Sequence, residues 1–325
     1  MRCHAIRIEE TGGAEVLRWE EVEVGAPAAG DVLLRQTAVG LNYIDTYHRS
    51  GLYPVPLPGG IGLEGAGVVE AVGPGVTDLQ VGDRVAYASA PIGAYAEWRT
   101  YPAERAVKIP EGVSDQQAAA MMLQGMTAEY LIRRTYAVRP GEWVLFHAAA
   151  GGVGLIACQW LAHLGARVIG TAGGAEKMAL ARANGCEHVI DSRGDAIAAR
   201  VRELTGGAGV AVAYDGVGRD TFAASLDSLA RRGMLVSFGN ASGPVPAFEP
   251  AQLGMRGSLY FTRPSLMDYT ATRAELGASA AALFDVVARG AVRIVVNQTY
   301  PLREAAQAHR DLEGRRTTGS TVLLP

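Results

Sequence analysis

Trp143-Val144-Leu145-Phe146-His147-Ala148-Ala149-Ala150-Gly151-Gly152-Val153-Gly154 reads, in order, as strand, tight turn and helix start. The apolar run Trp143 to Phe146 suits a strand buried on both faces, and the small residues after it admit a sharp turn. In the helix, Val153, Ile156, Ala157, Trp160, Leu161 and Leu164 recur at spacings of three and four, and Gly165 stands where a C-terminal left-handed glycine belongs. Backbone N–H groups at a helix start lack intrahelical partners and carry the positive end of the dipole. The turn can therefore take a phosphate if no side chain keeps it away. Ala148, Gly151, Gly152, Val153 and Gly154 leave that approach open. Ala148 holds the place of the first glycine of the common dinucleotide fingerprint, so the motif reads A-x-x-G-x-x-G. By itself such a turn can simply pack a helix on a strand. Its context says more: Leu164-Gly165-Ala166 leads into a second strand, Arg167 to Thr171, which completes a βαβ unit of mononucleotide-binding length.

The βα rhythm continues outward from this unit. Strands are expected at Arg167 to Thr171, His188 to Ile190, Val210 to Tyr214, Met234 to Phe238 and Ser258 to Phe261, which with Trp143 to His147 makes six. Six parallel strands are what a doubly wound dinucleotide domain needs. Residues 1 to about 110 read differently: Val32 to Arg35 and Gly67 to Val72 are strand candidates, punctuated by Gly73-Pro74-Gly75, Gly82-Asp83 and Pro110-Glu111-Gly112. This is a compact, mostly β domain. Ser114 with Gln117 three residues later forms a capping box, and a further helix is expected from about Thr127 to Tyr136. Beyond Pro264, a helix from about Ala274 to Arg289, a strand near Val292 to Val296, a helix from Arg303 to Glu313 and a strand Thr321 to Leu324 return to the first domain. The domain reading is 1–123, 124–264 and 265–325, the middle part being an insertion. The fold class is α/β, a mostly β domain beside a Rossmann sheet of six parallel strands.

A chain of 325 residues with 49% hydrophobic residues and 41 glycines suits a well-packed α/β protein of two domains. Its formal net charge of −3 arises from 30 basic and 33 acidic residues without long runs of either sign, so no nucleic-acid or membrane footprint is expected. Small molecules are the expected partners. Cys3, Cys158 and Cys186 are scattered, odd in number and without metal-like spacing, as suits reduced thiols in a cytoplasmic protein. No signal peptide or membrane-length apolar segment is read, and Met1 to Ile6 begins directly as a strand.

Several blocks together carry a family resemblance. They are Asn42-Tyr43-Ile44-Asp45-Thr46-Tyr47, Arg49-Ser50-Gly51-Leu52-Tyr53-Pro54, Gly82-Asp83-Arg84-Val85, Leu123-Gln124-Gly125-Met126-Thr127-Ala128, His147 to Gly154, Phe238-Gly239-Asn240 and Thr262-Arg263-Pro264-Ser265-Leu266. From end to end the chain resembles the NADPH:quinone oxidoreductases of the zeta-crystallin type, in the zinc-free branch of the medium-chain dehydrogenase/reductase superfamily. The resemblance implies a GroES-like substrate domain, a Rossmann cofactor domain and an active site in the cleft between them.

The nicotinamide can be argued from charge. NAD sites end their second strand with a carboxylate that accepts hydrogen bonds from the ribose 2′-OH, whereas here that place reads Thr171-Ala172-Gly173-Gly174. No carboxylate stands there to repel a 2′-phosphate, although Glu176 adjoins. Lys177, on the next helix, is by itself more often a solvated residue than a ligand; the resemblance moves it to the phosphate. The resemblance also brings to that end an arginine, matched by Arg315 with Arg316 beside it, and a tyrosine, whose place here is Ser192 in Asp191-Ser192-Arg193. NADPH is the expected cofactor. Phe238 and Gly239 after the fifth strand, and Phe261 and Arg263 after the sixth, should line the cofactor trough; Arg263 could equally be a domain-interface charge.

Zinc dehydrogenases of the superfamily have a Cys where this chain has Asn42, a His where it has Leu63, and a four-Cys lobe that is absent. Three scattered cysteines build neither tetrahedral site. Without a Lewis acid to polarise a carbonyl, an acceptor that already takes hydride readily is favoured, a quinone or conjugated enone. The resemblance puts Asn42, Asp45, Tyr47, Tyr53 and Thr127 at the acceptor or nicotinamide. There they could hydrogen-bond the acceptor's oxygens or supply a proton. Asp45 as a helix cap, the tyrosines as packing residues and Thr127 as an N-cap are the plainer readings. His48 and His147 receive no role. The function read is an NADPH-dependent quinone reductase, with an enoyl or 2-alkenal reductase and an NADPH-binding structural or RNA-binding protein as alternatives. The resemblance also implies a homodimer through the edge of the Rossmann sheet, here Gly257 to Phe261, an apolar strand that would otherwise present unpaired backbone groups.

Overall fold

The computed structural model describes residues 1–194 and 196–325. The chain forms two compact units: Met1–Gln124, Thr270–Phe284 and Ile294–Pro325 in the first, and Gly125–Tyr269 with Asp285–Arg293 in the second. The sequence reading drew its lines at 123/124 and 264/265. The units meet at 124/125 and 269/270, and residues 285–293 belong with the second.

In the second unit six strands lie in the order His188–Asp191, Arg167–Ala172, Trp143–Phe146, Val210–Asp215, Leu229–Ser237, Tyr260–Thr262. Every neighbouring pair is parallel. The order reverses beside Trp143–Phe146, so the carboxyl ends of this strand and of Val210–Asp215 flank the crevice where doubly wound sheets bind ligands. Continuous apolar strands follow from burial on both faces: Leu145, Ile169, Ala213 and Leu235 are fully buried in one cluster with Phe222, Leu226 and Leu259. The helix Gly152–His163 ends at Leu164, and Gly165 takes φ 81 as the spacing required. The last strand starts at Tyr260 rather than Ser258. Gly257 at φ 106 and Ser258 at φ 57 are both left-handed, which a strand cannot contain.

In the first unit the C-terminal strands return to the N-terminal sheet, whose order is Val296–Pro301, Ser320–Leu324, Asp31–Leu41, Glu64–Val72, Arg84–Ala88, Val107–Lys108, with Trp98–Pro102 also on Asp31–Leu41. A three-stranded sheet of Arg18–Glu23, Arg2–Ile8 and Gly59–Gly60 accompanies it. Val32, Leu34, Val39, Val69, Val85, Tyr87 and Leu323 are fully buried between them. One helix interrupts this β-rich stretch, Tyr43–Ser50, which ends at Gly51 with φ 81. Ser114 caps Asp115–Ala119 as expected: its Oγ accepts the Gln117 N–H at 3.2 Å, and Gln117 Oε1 accepts the Ser114 N–H at 3.1 Å.

Two further expectations need correction. The helix placed from Thr127 to Tyr136 runs Met122–Tyr130 and then widens into a π turn, Leu131–Thr135, so Thr127 lies within the helix and caps nothing. The strand placed near Val292 to Val296 is instead Val296–Pro301. The peptide groups of Arg293 are taken by the Gln159 side chain, its N–H at 3.0 Å and its carbonyl at 3.3 Å, which removes them from any ladder.

Candidate functional site

In the second unit the turn after Trp143–Phe146 is supported from behind by buried hydrogen bonds of fixed polarity. Asp215 Oδ2 accepts the Ser225 hydroxyl at 2.8 Å, so Ser225 Oγ accepts from His147 Nε2 at 3.0 Å. His147 Nδ1 is then left to accept from Thr171 Oγ1 at 3.1 Å, and Thr171 Oγ1 accepts the Ala148 N–H at 3.3 Å. Burial lowers the His147 pKa, which keeps the imidazole in this neutral tautomer. Asp215 Oδ1 gathers the N–H groups of Val217 and Gly218 at 2.8 and 3.0 Å, fixing the loop after the fourth strand. His147, given no role from sequence, thus ties three strand ends to the turn. Its partners Ser225 and Asp215 are 78 and 68 residues away in the chain and leave no local signal.

Ala148 has φ 51, the left-handed conformation that glycine ordinarily supplies at this point of the fingerprint. The chain keeps the turn and carries about 1 kcal/mol of strain in it. Gly151 is extended, Gly152 and Val153 open the helix, and the first helical bond runs from the Leu155 N–H to Gly151 O at 2.9 Å. The N–H groups of Gly152, Val153 and Gly154 therefore have no intrahelical partner, which makes this an anion-binding end. Gly154 is required by close packing, since a Cβ there would meet Ala148 O at 2.4 Å.

The remaining second-unit candidates fall into two groups. Gly173 follows the second strand, Lys177 lies in the first turn of the next helix, Ala175–Ala183, and Ser192 follows the third strand, His188–Asp191. The Thr171 hydroxyl is turned to His147 and Ala148, so it shapes the turn from behind. Gly239 packs so closely that a Cβ would lie 2.4 Å from Gly216 O, and the Phe238 ring lies 5.9 Å from Phe146. Arg263 donates to Gly239 O at 3.2 Å and to Ser237 Oγ at 3.4 Å. Phe261 meets Phe222 and Phe248 at 6.1 and 5.3 Å, an aromatic cluster that anchors the edge strand. Thr127 is buried.

The first unit holds the other candidates around Tyr43–Ser50. Asn42 precedes this helix, and its N–H is accepted by Asp45 Oδ2 at 2.9 Å, so the plain reading of Asp45 as a cap is correct. The Asn42 amide is gripped on both sides: Nδ2 donates to Glu64 Oε2 at 2.5 Å and Oδ1 accepts from Gln124 Nε2 at 3.1 Å. Glu64 also accepts the Leu123 N–H at 2.8 Å. Gly40 makes room for that carboxyl, since a Cβ there would meet Glu64 Oε2 and Ala119 O at 2.3 Å. Burial outweighs these donors and pushes the Glu64 pKa to about 8, and it pushes Asp45 to about 7.

Asp45 terminates a second polar chain. Arg49 can only donate, so His309 Nδ1 accepts from it at 3.1 Å, and His309 Nε2 donates to Tyr95 Oη at 3.1 Å. Tyr95 then donates to Asp45 Oδ2 at 2.9 Å. Burial lowers the His309 pKa to about 3, and the Arg49 charge adds to this, so the ring stays neutral. Arg49 completes the chain with a bidentate pair to Glu313 at 2.7 and 2.9 Å. Among the described residues, two buried polar side-chain atoms lack a partner: Asp45 Oδ1 and His48 Nδ1, three residues apart on one helix. Tyr47 is buried, with its ring 5.6 Å from Tyr43 and 5.2 Å from Tyr53, whose N–H donates to Tyr47 O at 3.1 Å. Arg315, at φ 57, acts electrostatically on Tyr43, while Arg316 pairs with Asp311 at 2.9 Å. The sequence missed Glu64, Tyr95 and His309; only the Asn42-x-x-Asp45 cap spacing was locally readable.

Residues 28–111 match the alcohol dehydrogenase GroES-like domain and residues 152–276 the family described as zinc-binding dehydrogenase. With the strand order above, these define a dehydrogenase of the medium-chain dehydrogenase/reductase superfamily. The chain is 53% identical to a quinone oxidoreductase of Pseudomonas aeruginosa over 98% of this chain and 99% of that protein. The crystal structure of Escherichia coli quinone oxidoreductase complexed with NADPH is similar at a TM-score of 0.97, with 48% identity over 99% of this chain and 100% of that one. A 2-haloacrylate reductase from a Burkholderia species is 49% identical over 98% of each chain. The chain belongs to the quinone oxidoreductase family of that superfamily. Among the described residues, no group of three or more His, Cys, Asp or Glu is placed to hold a metal ion.

Proposed function

We propose that the protein is an NADPH-dependent quinone oxidoreductase that reduces small quinones without zinc. The observation that carries this reading is its end-to-end likeness to quinone oxidoreductases, at 53% identity to the Pseudomonas aeruginosa protein. The residues fit the cofactor: an open helix start after the left-handed Ala148 suits the pyrophosphate, and the second strand is followed by Gly173-Gly174, which themselves carry no carboxylate, the nearby Asp191 being turned to the Gly174 N–H. NADPH supplies hydride when bound. The Gly152 to Gly154 N–H groups and Ala148 hold its phosphates, Gly173, Lys177, Ser192 and Arg315 serve its 2′-phosphate end, and Thr171, Phe238, Gly239, Phe261 and Arg263 shape the trough. Apart from Arg315 and Thr127, substrate binding belongs to residues 1–123 and 265–325 and NADPH binding to residues 124–264.

The acceptor is positioned by Asn42, Asp45, Tyr47, Tyr53 and Thr127. At position 42 a neutral amide, held between Glu64 and Gln124, stands where zinc relatives have a thiolate, so acceptor oxygens meet hydrogen-bonding groups here. Positioning two flat rings contributes much of the rate for an acceptor already prone to take hydride. Asp45 and the tyrosines Tyr47 and Tyr53 hydrogen-bond the acceptor's oxygens or deliver protons to them.

The likeness to a 2-haloacrylate reductase favours one alternative, reduction of activated C=C bonds with the same apparatus. NADPH oxidation by chelator-treated protein, measured with 1,4-benzoquinone and separately with crotonaldehyde, decides between them. Faster quinone turnover is expected; a faster enal would give the function to the alternative. NADPH binding without turnover of either acceptor would favour a binding protein.

We further infer a cytoplasmic homodimer that binds neither nucleic acid nor membrane. Three free, buried cysteines support the compartment, and no helix among the described residues is long and apolar enough to cross a membrane. The edge strand Tyr260–Thr262 supports the dimer: it pairs on one side only, with Tyr260 58% and nearby Met255 85% exposed. A monomer mass by sedimentation at working concentration would refute it.

A further inference from the structure

Arg193 lies along the two glycines that follow the second strand. A Cβ built on Gly173 would stand 3.0 Å from Arg193 Nε and 3.5 Å from both Arg193 Cγ and Ser192 Oγ. One built on Gly174 would stand 3.1 Å from Arg193 Nη1 and 3.4 Å from Cζ. The guanidinium therefore occupies the space that a side chain at either position would fill, and Gly174 at φ 89 gives the backbone the bend that lets it approach.

This placement is held by the backbone. Asp191 Oδ1 accepts the Arg193 N–H at 3.0 Å and the Gly174 N–H at 3.4 Å, and the Ser192 N–H donates to Ala172 O at 3.1 Å. The short loop after the third strand is thus clamped to the turn after the second. Arg193 is exposed and, among the described residues, makes no ion pair. It joins Lys177, on the helix that starts at this turn. The turn is the place where dinucleotide sites distinguish a ribose 2′-OH from a 2′-phosphate, and a planar guanidinium donates two parallel N–H groups to phosphate oxygens as a serine hydroxyl cannot.

We infer that Arg193 is the specificity-determining residue for the 2′-phosphate of NADPH in this chain, supplying from the next position what Ser192 is too short to give. The inference rests on the reading that the cofactor is NADPH.

Calorimetric titration of wild type, Arg193→Gln and Arg193→Lys with NADPH, NADH, adenosine 2′,5′-bisphosphate and 5′-AMP tests it. Loss of a charge-assisted fork should weaken NADPH and the bisphosphate roughly 10- to 100-fold in Arg193→Gln. The Lys variant should fall between, while NADH and 5′-AMP shift less than about twofold, which also reports an intact fold. The wild-type preference for NADPH should weaken with salt more steeply than that of Arg193→Gln. If wild type prefers NADPH and Arg193→Gln keeps the same preference, the Arg193 assignment falls and the NADPH reading stands. If wild type binds NADPH and NADH alike, the NADPH reading falls and takes the assignment with it.

Discussion

Each unit contains a buried histidine held neutral in a chain of hydrogen bonds that ends on a buried aspartate, yet the two chains differ at that aspartate. In the second unit Asp215 accepts from Val217, Gly218, Thr221 and Ser225, and both its oxygens are engaged. In the first, Asp45 accepts through Oδ2 alone, and Oδ1 has no partner. A buried polar group without a partner in the fold is destabilising, and such a group calls for an explanation, a water, an ion or a catalytic role among them. The closed chain holds a backbone turn in place; the open one ends on a fully buried carboxyl beside Asn42. The role proposed for Asp45 at the acceptor draws on this difference.

The largest test removes the closed aspartate. Asp215→Ala leaves the Ser225 hydroxyl and the Val217 and Gly218 N–H groups without their acceptor, and the Thr221 hydroxyl with only Gly218 O at 3.3 Å, and should lower the unfolding free energy by on the order of 3–5 kcal/mol in urea titration. Asp45→Ala discards an already unpaired oxygen and should cost less, about 1–3 kcal/mol. Equal losses would erase the distinction.

Next in size is the pH dependence of stability. Burial raises Glu64 from 4.5 to about 8 and Asp45 from 3.8 to about 7, so the folded state keeps protons that the unfolded chain releases. Their stabilisation is complete below the unfolded values and is lost as pH climbs through 7 and 8. His309, lowered from 6.5 to about 3, works in the opposite sense: its contribution is present above 6.5 and is lost as pH falls through 3. Between pH 6.5 and 8 the carboxyls dominate, and stability should fall with rising pH. Glu64→Gln should flatten that fall by about 1–2 kcal/mol, measured as unfolding midpoints in buffers across the window. An unchanged slope would mean that Glu64 is ionised throughout.

The smallest effect concerns the turn. Ala148→Gly relieves a left-handed alanine at φ 51 and should raise stability by about 0.5–1 kcal/mol after the entropy of glycine is counted. A loss would show that the Ala148 methyl packs usefully.

What was legible in the sequence was local. Periodicity and glycine placement located the six strands and the tight turn into the helix Gly152–His163, and Ser114 with Gln117 located a cap, because each depends on residues within a few positions. The helix Tyr43–Ser50 was visible only as the Asn42–Asp45 cap spacing inside a β-rich stretch. The left-handed backbone of Ala148 could not be read, since alanine carries no conformational signature. The contacts that define the two sites are long-range: Tyr95 meets His309 across 214 positions and His147 meets Ser225 across 78. A histidine ending an apolar strand looks like core until its partners are in place. The placement of Arg193 has no local signal, because its reach over Gly173 depends on how two separate turns are clamped together.

The most direct measurement is kcat/KM for 1,4-benzoquinone with saturating NADPH in Asp45→Asn, followed from pH 5.5 to 8.5 beside wild type. The substitution keeps the Asn42 and Tyr95 hydrogen bonds to one oxygen and turns the unpartnered acceptor into a donor. The expected result is turnover at least roughly tenfold lower, with loss of an inflection near pH 7 and unfolding free energy within about 1 kcal/mol of wild type. Wild-type turnover with an unaltered pH profile would contradict the assignment of chemistry to the open end of the first unit's chain.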